Sequence, residues 1–232
     1  MSRVDELRAG LAAVRDRIAR ACDEAGRDPA GVTLVVVTKF FPASDVRILA
    51  DEGVAHVGEN RHQEAVAKAE ECTDLDLVWH YVGGLQSNKA AAVAAYADVV
   101  ESVDRAKLLG GLQRGAEARG HDLEVLLQVS LDPPDREGRA GADPAALPAL
   151  AARVAEHGAL RLRGLMAVAP LGEDPATAFA RLTEVRAGFV AEHPDAVLLS
   201  AGMSGDLEHG VRAGATHVRV GSAILGERPR DK

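Results

Sequence analysis

Lys39 ends the run LVVVTKF (residues 34–40), in which one Leu, three Val and a Thr lead directly to an ammonium group. An unpaired charge inside a sheet is costly. A lysine at such a strand end has two uses. It runs its stem along apolar surface to reach water, or it is held with its charge suppressed, as an amine able to attack a carbonyl. Other polar residues recur within or at the ends of apolar runs. They are Glu59 and Asn60 after AHVG, His80 in WHYVG, Ser200 in VLLSAG, and Arg219, Gly221 and Ser222 in HVRVGSAILG.

Two turns carry a second kind of chemistry. SAGMSGDLEHG (200–210) and GSAILG (221–226) each follow an apolar run and open a short helix-like segment. Backbone N–H groups and small hydroxyls at helix starts suit a phosphate, although Gly and Ser also cap helices with no ligand. A strand arginine such as Arg219 needs acceptors, whether a neighbouring carboxylate, a ring nitrogen or an anion. His80 could stack on a ligand, donate to one, or be a satisfied core histidine. Lys89 in GLQSNKA is a second amine, but it opens a helix rather than ending a strand. A strand-end lysine, a phosphate cradle and a donor for a ring nitrogen together describe a pyridoxal 5′-phosphate site. Lys39 would form the imine, the two turns would hold the phosphate and Arg219 would address the pyridine nitrogen. No G-x-S-x-G, no Walker loop, no strand-following G-x-G-x-x-G and no paired metal ligands occur.

The elements that would position these groups follow from periodicity. Val4, Leu7, Leu11, Val14 and Ile18 recur at steps of three and four, so an amphipathic helix opens the chain. Ser2 and Asp5 form its capping box and Gly26 its stop. Thereafter strand-like and helix-like runs alternate. The strands are TLVVVTK, AHVGE, LVWHYVG, ADVVESV, LEVLLQVS, LRLRGLMAV, AVLLSAG and THVRVG. Eight strands separated by helices predict a single (β/α)8 TIM-type barrel over residues 1–232, with residues 1–26 as an extra N-terminal helix packed on it. A doubly wound open sheet is the alternative. In a barrel the site lies at the C-terminal strand ends, with phosphate commonly after strands seven and eight. Period-two alternation puts Lys39 on one face with Val35 and Val37, Asn60 with His56, His80 with Val78 and Val82, and Arg219 with His217 and Gly221.

Composition sets the class. The chain has 232 residues, 47% of them apolar but only 3% aromatic, so aliphatic side chains must fill the core. A formal charge of −8 argues against nucleic acid as a partner. Cys22 and Cys72 have neither disulfide-framework nor metal-ligand spacing. With no secretory segment and no membrane-length apolar run, a soluble cytoplasmic protein without a membrane partner is expected, and a monomer.

The stretches VVVTKF, VGENRHQEA, WHYVGGLQSNK, RLRGLMAV and LSAGMSGDLEHGVRAGATHVRVGSAILG, in this order along nearly the whole chain, resemble the pyridoxal phosphate homeostasis protein family. The resemblance implies a barrel like the N-terminal domain of alanine racemase and binding of pyridoxal phosphate without established turnover. As a carrier or regulator of the cofactor, such a protein would have pyridoxal-phosphate-dependent apo-enzymes as its protein partners. By motif, Lys39 resembles the imine lysine, Asn60 and His80 the residues lining the cofactor, and Ser200, Gly221 and Ser222 the phosphate contacts. Arg219 resembles the residue beside the pyridine nitrogen. Ser222 stands where threonine is common, and Arg139 where relatives often carry a lysine; an arginine forms no imine. The competing reading is a pyridoxal-phosphate-dependent amino-acid racemase. That chemistry needs an acid and a base on opposite faces of the substrate, and Tyr81 and Tyr96 are the only tyrosines present.

Overall fold

The computed structural model describes residues 2–133 and 141–227; Arg139 and the centre of the polar loop around it lie outside the described residues. Helix α1 spans Arg3–Glu24 and is capped as its sequence predicts. The Asp5 N–H donates to Ser2 Oγ (3.2 Å) and the Ser2 N–H donates to Asp5 Oδ2 (2.9 Å). Leu7, Leu11, Val14 and Ile18 are buried, whereas Val4 sits at the edge of the stripe and stays exposed. Gly26, at φ 64°, turns the chain away from the helix.

Among the described residues, eight strands follow: β1 Thr33–Val37, β2 His56–Glu59, β3 Val78–Tyr81, β4 Val99–Val103, β5 Leu123–Gln128, β6 Leu160–Met166, β7 Leu198–Ser200 and β8 His217–Val220. Each pairs in parallel with the next, and β8 returns to pair with β1 through Leu34 and Val218. The sheet is therefore a closed barrel, and the open doubly wound alternative is excluded. Helices α2 Ala43–Asp51, α3 His62–Glu71, α4 Ala90–Ala94, α5 Leu109–Arg119, α6 Leu147–Ala155, α7 Pro175–Glu192, α8 Leu207–Arg212 and α9 Ser222–Leu225 complete the βα units. The main core lies between strands and helices, where Val36, Val57, Val100, Leu127 and Leu199 meet Leu49, Leu109 and Phe179.

The N-terminal helix supports the last βα turn. A Cβ on Gly10 would come within 2.7 Å of the Ile224 carbonyl oxygen, so only glycine lets α1 lie this close to α9. Arg3 donates to the Leu225 carbonyl (3.1 Å) and pairs with Asp45 on α2 (2.6 Å), tying together the helices that follow the neighbouring strands β8 and β1.

Candidate functional site

A cavity of about 340 Å³ opens at the C-terminal ends of the strands, within the usual size of small-molecule sites. Five of the expected residues line it: Lys39 after β1, Asn60 after β2, Arg219 in β8, and Gly221 and Ser222 at the start of α9. Val37, Val82 and Val168 supply apolar wall, and Phe41 and Met203 stand with them.

Strand β1 ends two residues before Lys39. The Thr38 N–H still donates to the Gly58 carbonyl (2.9 Å), after which the chain turns. That turn is held from below by a buried cluster. Thr38 Oγ1 donates to Glu59 Oε1 (2.5 Å), and Lys68 Nζ donates both to the Thr38 carbonyl (2.7 Å) and to Glu59 Oε1. Burial pushes the Glu59 carboxyl above its ordinary value against the opposing pull of Lys68 and Thr38. Phe40 adopts φ 71°, a left-handed conformation that is strained for an aromatic residue. Its N–H is fixed by Glu64 Oε2 (3.0 Å), and the Arg61 guanidinium lies 5.3 Å from the centre of its ring. The peptide on either side of Lys39 is thus anchored, which fixes where its stem starts. On the next wall Gly83 presses on Asn60: a Cβ there would stand 2.4 Å from the Asn60 carbonyl oxygen.

Two expected residues do not reach the cavity. His80 shares the inward face with Val82, but it lies one layer deeper, and Val82 takes the position at the mouth. Two strand residues span roughly 6–7 Å, enough to remove the ring from the cavity. His80 is buried, with Nδ1 2.7 Å from Glu101 Oε1 and Nε2 3.0 Å from His56 Nδ1. Ser200 is also interior. Its hydroxyl donates to Glu101 Oε2 (2.6 Å) and accepts from Arg219 Nη1 (2.6 Å). The hydroxyl that SAGMSGDLEHG brings to the cavity is Ser204, with Gly205 beside it. Ser204 sits past the strand in the turn, and its Oγ accepts the Ala223 N–H (3.4 Å), so the two glycine-rich turns are joined. Lys89 ends a short turn, Ser87–Lys89, and is absent from the cavity wall.

Arg219 is buried and reaches the cavity from the barrel interior. Nη2 donates to the Ala167 carbonyl (2.9 Å) and Nη1 to Ser200. Burial pulls its value below that of an ordinary arginine, opposed by Glu101 and Asp206. Glu101 was not singled out in the sequence, because it sits mid-strand in VVESV with no turn signal beside it. Burial alone would raise its carboxyl. Hydrogen bonding and charge from His80, the charge of Arg219 and the Ser200 hydroxyl outweigh that and hold it down at about 2.

The opposite end of the barrel has its own polar interior, a cavity of about 330 Å³ walled in part by His56, His80, His217 and Glu101. Burial, opposed by Glu101 and reinforced by the other two histidines and Arg219, lowers His217 from 6.5 to about 4. Between those values the unfolded chain binds a proton that the folded chain does not, so stability rises with pH through this window and falls as pH drops from 6.5 towards 4. The expected loss is roughly 2–3 kcal/mol, read as a falling urea midpoint. His217→Asn should flatten the slope; an unchanged slope would show that His217 is not its source.

Residues 9–229 match the family model described as alanine racemase, N-terminal domain. The pyridoxal phosphate homeostasis protein of Mycobacterium tuberculosis H37Rv is 43% identical, with 97% of this chain and 94% of that protein covered. The protein of the same name from Escherichia coli K12 is 38% identical over 99% of this chain and 100% of its own length. Among solved structures, PipY of Synechococcus elongatus PCC7942 with PLP bound has a TM-score of 0.81 at 37% identity, covering 95% of this chain and 100% of that one. Alanine racemase of Clostridium difficile 630 shares the fold alone, with a TM-score of 0.74 at 13% identity over 98% of this chain and 58% of that one. With a full-length sequence match of this strength laid over the barrel and its cavity, the chain belongs to the pyridoxal phosphate homeostasis protein family.

Proposed function

We propose that this protein binds pyridoxal 5′-phosphate in the cavity at the C-terminal strand ends and serves the cell's supply of that cofactor without turning over a substrate. The observation that carries this reading is the meeting of Lys39, Arg219, Ser204 and Ser222 on one cavity wall system. That donor set fits the group: an amine for a carbonyl, a permanent cation for a ring nitrogen and paired hydroxyls for a phosphate. Gly221 completes the fit, because a Cβ there would already stand 3.0 Å from the Val37 carbonyl oxygen and crowd the turn that carries Ser222. Bound there, the cofactor supplies an electrophilic carbonyl at the lysine end and an aromatic ring able to take up electron density.

The chain's own residues determine how that capacity is used. Lys39 offers its amine from an anchored turn. Val37, Val82 and Val168 give the ring apolar walls, and Phe41 and Met203 narrow the water access. Arg219 donates to the ring nitrogen and, as a permanent cation, keeps a proton off it. Ser204 and Ser222 hold the phosphate where the two turns meet. A neutral ring nitrogen weakens the electron uptake that amino-acid chemistry needs.

The racemase reading requires a second proton-transfer group facing Lys39. Among the described residues, the cavity wall contains no Tyr, His, Cys, Asp or Glu. His80 is engaged one layer below, and the Tyr81 hydroxyl points to the Asn60 carbonyl (3.4 Å). Exchange of the α-proton of L-amino acids in deuterated water, with Lys39→Ala as control, should therefore stay near the uncatalysed rate. Rapid exchange by the wild type that disappears in the variant would make the protein an enzyme. The same reading places a monomer in the cytoplasm, passing cofactor to apo-enzymes. No helix among the described residues is long and apolar enough to cross a membrane.

A further inference from the structure

Arg219 cannot be oriented by its own strand. It enters the cavity wall from the barrel interior, where a guanidinium needs fixed acceptors to hold one direction. Two are present, the Ala167 carbonyl and the Ser200 hydroxyl. A carbonyl is fixed by the sheet; a hydroxyl is not, because it can rotate. The Ser200 hydroxyl is set by Glu101: with its proton committed to Glu101 Oε2 at 2.6 Å, its lone pair faces Arg219 Nη1 at 2.6 Å. The direct ion pair between Glu101 and Arg219 is long, at 3.9 Å, so the serine supplies the hydrogen-bonded link between them. The other oxygen of Glu101 is held by His80 Nδ1 at 2.7 Å, and a carboxylate at that nitrogen requires the N–H there. His80 Nε2 is in turn 3.0 Å from His56 Nδ1. A continuous polar chain therefore runs His56–His80–Glu101–Ser200–Arg219, alongside a cluster of apolar side chains that includes Val99, Leu126 and Met166.

We propose that Glu101 is a positioning residue for Arg219, fixing through Ser200 the direction in which the guanidinium meets a ligand in the cavity. This rests on the pyridoxal phosphate reading for the identity of that ligand, but not for the geometry itself. Glu101 is not among the residues that line the cavity. It supplies a buried negative charge 3.9 Å from the guanidinium, and removing that charge leaves the Arg219–Ser200 contact with a rotatable neutral partner.

The prediction separates from the phosphate contacts by ligand. Unphosphorylated pyridoxal keeps the ring nitrogen and lacks the phosphate. Glu101→Gln should therefore weaken pyridoxal phosphate and pyridoxal by the same factor, roughly ten- to a hundredfold, the range for one charge-assisted hydrogen bond. A second readout needs no cofactor. In cofactor-free protein labelled with 15N-arginine, the Arg219 guanidinium signals are assigned by their loss in Arg219→Lys. They should be resolved in the wild type and averaged in Glu101→Gln. Should Glu101→Gln fail to fold, Ser200→Ala removes the bridge while leaving the carboxylate in place, and it should average the same signals. Resolved Arg219 signals in a folded variant, with both ligands bound as in the wild type, would overturn the proposal. If the wild type binds neither ligand while the Arg219 signals respond as described, it is the cofactor reading that fails and the positioning that stands.

Discussion

Lys39→Ala should lose pyridoxal phosphate by at least roughly a hundredfold, because the variant gives up a covalent attachment and not merely a contact. The wild type should acquire a visible absorption band on mixing with the cofactor and keep it through desalting. The variant should lose the band, and the cofactor should wash out. The fold should survive. Lys39 is half-buried in a turn, past the end of β1, and the cluster beneath it is built by Thr38, Glu59 and Lys68. A variant that retains the band through desalting would show that another amine takes the carbonyl. Lys68 is the instructive comparison. It is a buried lysine near the same turn, but it is committed to Glu59 and the Thr38 carbonyl, so its amine is held away from the cavity.

The second large effect concerns the phosphate. Ser204 and Ser222 come from different turns yet share one wall of the cavity. Each hydroxyl should give an anion a hydrogen bond of roughly 1.5–3 kcal/mol. Changing both to alanine should cost pyridoxal phosphate a few hundredfold or more, as an order-of-magnitude sum, and leave unphosphorylated pyridoxal nearly unchanged. Paired titrations of the two ligands read this directly. Equal losses for both would place the phosphate elsewhere. Ser200→Ala should behave differently, since its hydroxyl is spent between Glu101 and Arg219: it should weaken both ligands together.

These contrasts mark where sequence reasoning ends. Periodicity placed Lys39, Asn60 and Arg219 on inward faces, and all three line the cavity. It could not assign depth. His80 and Val82 share a face, as do His217, Arg219 and Gly221, and a period of two says nothing about which layer meets the ligand. Depth depends on strand stagger, which is set by pairings between distant segments such as Val35 with Arg219 and Gly58 with His80. The same limit separates Ser200 from Ser204. Both stand in one glycine-rich stretch, but β7 ends at Ser200, and only the turn after it reaches the mouth. Barrel closure was open for a related reason: nothing local in THVRVG says that β8 pairs with β1. Glu101 and Lys68 were invisible because each lies mid-element. One reads as a strand interruption and the other as an ordinary helix surface lysine, until the fold turns both inward.

The central claim is that Lys39 is the amine presented to the cofactor. Borohydride treatment of the wild type loaded with pyridoxal phosphate, followed by peptide mapping, tests it most directly. The cofactor's mass should be found on the peptide that carries Lys39, at close to one per chain, and should be absent from that peptide in Lys39→Ala. A reduced adduct on Lys68 or Lys89, or a wild type that takes up no cofactor mass at all, would contradict it.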